Sequence, residues 1–537
     1  MKEPIFNLLT EPWIITTTLQ GNEETLSLTE VLTRSHEIKS LSGEMPAQDM
    51  AIFRLLLGVL YAIYTRTEKY SEAQDATSKD MCINIWKELW ERGYFFSNEI
   101  VEYLEQYYDR FWLVHPERPF YQVAKIQTTK PYAVSKMIGE LVESNNKIQL
   151  FPLRSGESKQ FLEYPEAARW LLYLNCFDDA ALKKFDSTTS SISVGWLGQL
   201  GLVYIVGKNL FETLMLNLVL LNNGEPWGQG KATWELSESR TGERTAITTP
   251  GSAEELYTLQ SRRIKLIWDS DRLTGYEILG GDYFSKEDAF VEPMTLWKLC
   301  KGKAGHKDMY IPPSNVARDF TKQLWRDITP LLVNSESARC PGVIDWLSEL
   351  KQEGIISSRQ IQICTLFIKY GGGSNMSGVD EIWSDSISIN ANLLSSMSDE
   401  WIGRITSLVA ITEQLVKLLG DLASNIAMSA GASEGNAARN AAKEQAYADL
   451  DIPFRNWLSE IDPDADDINV QSAKWISSCK KIIFNSGDEL ISKAGEQAFI
   501  GRSLKIGNKE SYYSTPRVYG WFVRGVYKIV HEEGFEK

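Results

Sequence analysis

Few residues in this chain of 537 are spaced for chemistry. The four histidines are His36, His115, His306 and His531, with no HxH or HExxH spacing to put two imidazoles on one metal. His115, in VHPERPF, reads as a structural turn residue. The six cysteines are Cys82, Cys176, Cys300, Cys340, Cys364 and Cys479. None forms a CxxC pair, so no zinc signature is present, and their wide spacing predicts reduced, mostly buried thiols in the cytosol. The carboxylates Asp462–Asp467 fall in a proline-bearing linker and read as a solvated loop. No GxxxxGK[ST] string offers a phosphate cradle. The expectation is a chain with no catalytic residue, no metal and no cofactor.

The groups that remain are suited to binding. GGGSNMSG, Gly371 to Gly378, is the sharpest. Gly372 and Gly373 let a backbone approach a partner closely. Asn375 offers an amide donor and an acceptor, which in a minor groove can meet the base acceptors or the guanine amino group. Met376 is long, unbranched and apolar, a shape suited to wedging between base steps. An ordinary surface loop with Met376 packed on the domain accounts for the same residues. In CKGKAGHK, glycines interleave Lys301, Lys303 and Lys307, so the loop can follow a phosphate backbone or simply be solvated. In FPLRSGESKQFLE, Phe151 to Glu163, Arg154 and Lys159 can supply phosphate contacts and Gly156 gives freedom of turn. An ordinary polar excursion is the competing reading there.

Two kinds of sequence must position these loops. Up to about Asn392, helix and strand signals are mixed. Helices are expected at Gln48–Tyr64, Asp80–Arg92, Ile100–Arg110, Pro165–Asn175 and Leu210–Leu221, and strands at Leu202–Val206, Arg263–Asp269, Tyr276–Leu279 and Ser386–Ile389. The polar turn Asp269–Gly275 predicts a hairpin. No regular β-α-β alternation appears, so the fold class is α+β, with a large irregular mixed domain at 1–392. From 393 to 537 the pattern becomes helical. Trp401, Ile405, Leu408, Ile411, Leu415, Leu419 and Leu422 recur at helical spacing, with Ser398 as N-cap and Gly431 as stop. A second helix is expected to break near Pro453 and continue to Leu458. A third spans Val470–Ala494 and a fourth Arg517–Val530, which together predict a four-helix bundle.

Composition limits the partners. The net charge is −15, which argues against a free-standing DNA binder but permits nucleic-acid contact over a limited surface. Between Gln471 and Val530 ten Lys/Arg face four Asp/Glu, an excess that a solvated helical face also explains. No signal peptide is visible, and the apolar runs Leu55–Ile63 and Leu214–Leu221 are too short to span a bilayer. A cytoplasmic protein with no membrane partner is expected.

The first 64 residues, with FNLLTEPWI, LSLTEVL and LSGEMPAQDMAIFRLLLGVLYAIY, resemble the N-terminus of the CasA-type large subunit of Cascade, the type I-E CRISPR surveillance complex. The likeness recurs in order at FWLVHPERPFYQ, GWLGQLGLVYIVGKNLFETLMLNLVLL, LYTLQSRRIKLIWD with EPMTLWK, KYGGGSNM and YADLDIPFRNWL. It implies a non-catalytic subunit near the 5′ end of the CRISPR RNA, bound to other Cascade subunits. Such a subunit reads the protospacer-adjacent motif (PAM) in double-stranded DNA, helps start unwinding and R-loop formation, and recruits a helicase-nuclease. By this resemblance Gly372, Gly373, Asn375 and Met376 form the DNA-probing loop, where a well-known family form has glutamine in place of Met376. The loop with Arg154, Gly156 and Lys159 docks near the RNA handle, and Lys301, Lys303 and Lys307 lie near displaced or flanking DNA. A glycine loop of the family falls at DSTTSSISVG, Asp186–Gly195, where hydroxyl residues replace most glycines, and Lys286 is the nearest counterpart of a hairpin lysine. The rival class is a nuclease or metal hydrolase acting on nucleic acid, which requires convergent carboxylates or histidines.

Overall fold

The computed structural model describes residues 3–66, 78–126, 128, 131–141, 153–179, 194–242, 244–247, 250–302, 306–313, 322–356, 360–371, 379–394, 399–506 and 509–532. The chain divides into two compact units. The first comprises Met1–Asp319, Asn334–Leu350 and Gln362–Ser386; the second takes Phe320–Val333, Lys351–Ile361 and Ile387–Lys537. The helical unit thus recruits two segments from well before residue 393.

The first unit is irregular α+β. At its centre is the helix Pro46–Tyr64, with proline at the start, where its missing N–H costs nothing. Leu55, Leu56, Leu57, Val59 and Leu60 are all buried, so this stretch of the helix is covered around its whole circumference, as a core helix must be. It packs against the helix Tyr164–Phe177 and the short helix Ala253–Tyr257. By length and composition it could cross a membrane, a property the shorter run Leu55–Ile63 had concealed; 89% of its apolar window is buried in the protein.

Small sheets surround this core. Arg262–Asp269 and Arg272–Gly280 form the expected hairpin, with Ser270 at φ +57 in its turn. Strand Leu202–Val206 pairs antiparallel with Gln360–Tyr370, which has Val379–Asn390 on its other side. Strand Gln360–Tyr370 was not anticipated, because its run of buried residues lacks the polar alternation of a half-exposed strand. The helix at Leu210 stops at Asn217, short of the expected Leu221. Asn217 ends it: the side-chain amide donates to Ile205 O at 2.7 Å and its oxygen accepts from Ile205 N at 3.0 Å, tying the helix to the neighbouring strand.

The second unit holds four long helices, Asp399–Ser429, Asn436–Glu460, Ile468–Ser492 and Thr515–Glu532. The first packs on all three others, and the others pack on their neighbours in sequence, which is the arrangement of a four-helix bundle. Gly431, at φ +115, follows the end of the first helix, as expected of a stop residue. Ser398 lies outside the described residues. Helix Asn436–Glu460 runs unbroken through Pro453, contrary to the expected break. Packing opposes the break: Leu450, Phe454, Trp457 and Leu458 are buried on one face, and Trp325 stacks on Phe454 at 4.5 Å while donating to Asp451 at 2.9 Å. Nor is Asp462–Asp467 simply solvated. Asp467 caps the next helix by accepting from Asn469 N and Val470 N, and Asp462 and Asp464 both accept from the amide of Asn392.

Candidate nucleic-acid interface

The probing-loop residues Gly372, Gly373, Asn375 and Met376 lie outside the described residues, but their frame does not. The loop joins two strands that neighbour each other in one sheet, Gln360–Tyr370 and Val379–Asn390. Its first flank is fixed. Lys369 bridges Glu381 at 2.8 Å and Asp380 at 3.3 Å, and the Tyr370 hydroxyl donates to Phe177 O at 2.8 Å. The ring of Phe367, three residues earlier, lies where a side chain on Gly201 would be, so only glycine lets that strand seat. The GWLGQLG motif therefore serves the strand beneath the loop. Of the glycine loop itself, only Val194 and Gly195 are described. A Cβ on Gly195 would collide with the Cys176 backbone, so this glycine is required by packing.

The docking loop is less open than its sequence suggests. Residues 151–152 lie outside the described set, and Leu153 is 77% exposed. Arg154 bridges Glu166 at 2.8 Å and approaches Glu44 at 3.9 Å. Glu44 is also held by Arg169, at 2.5 Å. Burial pushes the Glu44 carboxyl up, but the hydrogen bonds and charge of Arg169 outweigh it, leaving Glu44 below its ordinary range. Arg154 therefore braces the loop against its own domain. Gly156, at φ +60, opens a tight turn that ends with half-buried Lys159.

Lys301 and Lys307 sit at the tip of the hairpin formed by Trp297–Cys300 and Met309–Ile311; Lys303 lies outside the described residues. Lys301 bridges Asp308 at 3.2 Å with 79% of its side chain exposed, and Lys307 is exposed too. Lys286, in the turn after strand Asp282–Phe284, is half-buried.

The most distinctive sequence motifs prove to hold the scaffold together. In LYTLQSRRIKLIWD, buried Arg262 bridges Asp178, and buried Arg263 bridges Asp282 at 2.5 Å. In EPMTLWK, Glu292 receives a two-pronged bond from Arg54, at 2.8 and 2.9 Å, with both side chains out of solvent. The Arg54 guanidinium also lies 3.7 Å over the Tyr257 ring. In YADLDIPFRNWL, Tyr447 shares Glu413 with Arg326. None of these partners could be read from sequence, because each is separated from its mate by tens to hundreds of residues.

Among the described residues no group of three or more His, Cys, Asp or Glu side chains could hold a metal ion. His115 accepts from Glu117 N and Arg118 N, which is the structural turn role expected of it. The six cysteines are free thiols, four of them buried.

These features define a fold class: a mixed α+β unit bearing loops on braced strands, followed by a four-helix bundle. Residues 7–485 match the family of CRISPR-associated protein Cse1, and the chain belongs to that family. It is 27% identical over 433 residues to the CasA/Cse1 protein of Thermus thermophilus, covering 79% of this chain and 78% of that one. Its fold is similar to the crystal structure of Thermobifida fusca Cse1, with a TM-score of 0.84 and 27% identity over 98% of both chains. It also resembles Cse1 of Acidimicrobium ferrooxidans, with a TM-score of 0.78 and 21% identity over 99% of both. A chain of a CRISPR RNA-guided surveillance complex shares the fold at 17% identity, with a TM-score of 0.70 over 98% of this chain and 100% of that one.

Proposed function

We propose that this chain is the large, non-catalytic subunit of a type I-E CRISPR RNA-guided surveillance complex. In this role it recognises the PAM in double-stranded DNA, helps start unwinding and recruits a helicase-nuclease once an R-loop has formed. The observation that carries this reading is the family match over residues 7–485, supported by fold likeness along the whole chain to a component of such a complex. Its partners are the CRISPR RNA, the other complex subunits and target DNA. The protein reads the short flanking motif, and base pairing reads the rest.

Within that role the loop 371–378 probes the minor groove from a braced pair of strands. Asn375 meets base edges and Met376 wedges between base steps. Groove readout there is largely A·T against G·C, so several PAMs are tolerated. Lysines 301, 303 and 307 contact backbone phosphates. Arg154, Gly156 and Lys159 make the docking contact near the RNA handle, from a loop that the Arg154–Glu166 pair shapes.

The test is the rate of R-loop formation by the assembled complex on a PAM series. Met376→Ala should slow R-loop formation while leaving assembly intact. Asn375→Ala should lower PAM discrimination by ~1 kcal/mol, the low end for a base contact. A relaxed duplex shows the defect best, since negative supercoiling assists unwinding. Wild-type rates and PAM ranking in both variants would remove the loop from the site.

A further inference from the structure

A second contact surface lies on the three-stranded sheet whose order is Met309–Ile311, Trp297–Cys300, Ala338–Arg339. The register sets Trp297 opposite Arg339 and Leu299 opposite Tyr310. Side chains alternate along a strand, so Trp297, Leu299, Tyr310 and Arg339 share one face. Phe290 packs onto it, with its ring 5.5 Å from Trp297 and 5.6 Å from Tyr310. The Arg339 guanidinium lies 4.1 Å over the Phe290 ring and 5.5 Å from that of Tyr310. Trp297 is buried beneath, Phe290 and Tyr310 are half-buried, and Arg339 is exposed. These side chains line a cleft of about 450 Å³, with Asn334 and Glu336 also in its wall. That volume is within the range of small-ligand sites.

The cleft is held in shape before anything binds. The Tyr310 hydroxyl donates to Glu336 O at 3.0 Å, and its backbone N–H donates to Asp288 at 2.8 Å. Beside Arg339, the Cys340 N–H donates to Asn334 at 2.9 Å and its thiol to Asp345, also at 2.9 Å. Among the described residues Arg339 makes no ion pair; it lies over the two rings, and the Asp345 carboxyl in the same cleft feels its charge from farther off. A guanidinium stacked on rings on one side, with no ion pair holding the other, presents a flat, electron-poor surface.

We infer that this sheet face is a stacking platform for an unpaired nucleobase of single-stranded nucleic acid. Arg339 and Tyr310 meet the flat ring. The Glu336 carboxylate accepts from exocyclic amino groups and repels phosphate, so the base enters the cleft while the backbone stays outside. From there the backbone runs along the hairpin toward Lys301 and Lys307. Lys301 lies four positions after Trp297, roughly 13 Å along the strand, a span that a short unstacked strand bridges. Aromatic platforms beside basic tracks are how single strands are held without sequence preference. A peptide partner would satisfy the aromatic rings but has no need of lysines beyond the cleft. The inference rests on the proposed nucleic-acid role yet concerns a single strand, separate from PAM reading in the duplex.

The test uses the full chain at low salt and a single-stranded DNA oligonucleotide carrying 2-aminopurine, compared with the same strand abasic at that position. Wild type should quench the probe and bind the intact strand about fivefold more tightly than the abasic one, the low end for base stacking. Arg339→Ala and Tyr310→Leu should each erase that preference, and Arg339→Lys should erase most of it by keeping charge without a plane. An unchanged melting temperature in Arg339→Lys separates lost stacking from lost fold. Equal binding of intact and abasic strands by wild type, or an undiminished preference in all three variants, overturns the inference. So does normal oligonucleotide binding by Arg339→Ala combined with poor retention in the complex, which would make the face a protein contact. If PAM-dependent duplex binding fails while the abasic preference persists, the platform stands and the PAM reading falls.

Discussion

The residue that most depends on its surroundings is Arg54. It and Glu292 are separated by 238 positions and meet in the core with almost no exposure. A buried pair is costly to assemble and costlier to halve, because the survivor is left charged and unpaired. Glu292→Ala should destabilise the chain by about 3–5 kcal/mol, while Arg54→Met with Glu292→Leu should cost less than the sum of its single changes. Denaturant unfolding of the single and double variants measures both. Asp49 offers a second test. Burial pushes its carboxyl up to about 7, against a bond from Gly43 N that pulls it down. The folded chain keeps a proton that the unfolded chain releases near pH 4. This contribution to stability is therefore complete below about pH 4 and is lost as pH rises through about 7. Asp49→Asn should remove that downward slope, seen as a flatter melting temperature between pH 4 and 8.

At the scale of elements, the helix Asn436–Glu460 carries a proline that sequence rules treat as a breaker. Its continuity comes from the buried face around Phe454 and from the segment holding Trp325 and Arg326. Arg326 bridges Glu413 at 2.5 Å and lies 3.5 Å over the Tyr447 ring. Pro453→Ala should restore a backbone donor without disturbing that face and raise stability by up to about 3 kcal/mol. Trp325→Ala should do the reverse, by about 3–5 kcal/mol, the usual cost of emptying a buried tryptophan site. Calorimetry on the full chain separates the two. A lower melting temperature for Pro453→Ala would mean that the proline shapes a bend on which the packing depends.

For the whole molecule, the charge of −15 sets the expected binding behaviour. The isolated chain should bind duplex DNA weakly and the RNA-loaded complex tightly, with affinity falling as salt rises through counterion release. Nanomolar, salt-insensitive binding by the isolated chain would contradict this. Divalent metal should give no cleavage of DNA by the isolated chain; cleavage would place it with the nucleases. Shortening the loop 151–163, or changing Arg154 and Lys159 together to alanine, should weaken retention in the assembled complex more than PAM choice. Because Arg154 braces the loop through Glu166, Arg154→Ala alone should act by loosening that loop.

Periodicity and capping, which are local, made much of this protein legible. The apolar spacing of Trp401 to Leu422 announced the first bundle helix, and Leu202–Val206 was recognisable as a strand from its β-branched run. The ordered motifs from FNLLTEPWI to YADLDIPFRNWL pointed to the family that the match over residues 7–485 then established. Four things were decided only by tertiary structure: the partners of Arg54, Arg262 and Arg263, the end of a helix at Asn217, the unbroken passage through Pro453, and the gathering of Phe290, Tyr310 and Arg339 on one sheet face. Each depends on contact between residues far apart in the chain. A charge reads as solvated until the fold supplies its counter-charge, and a proline reads as a break until packing outweighs its missing hydrogen bond.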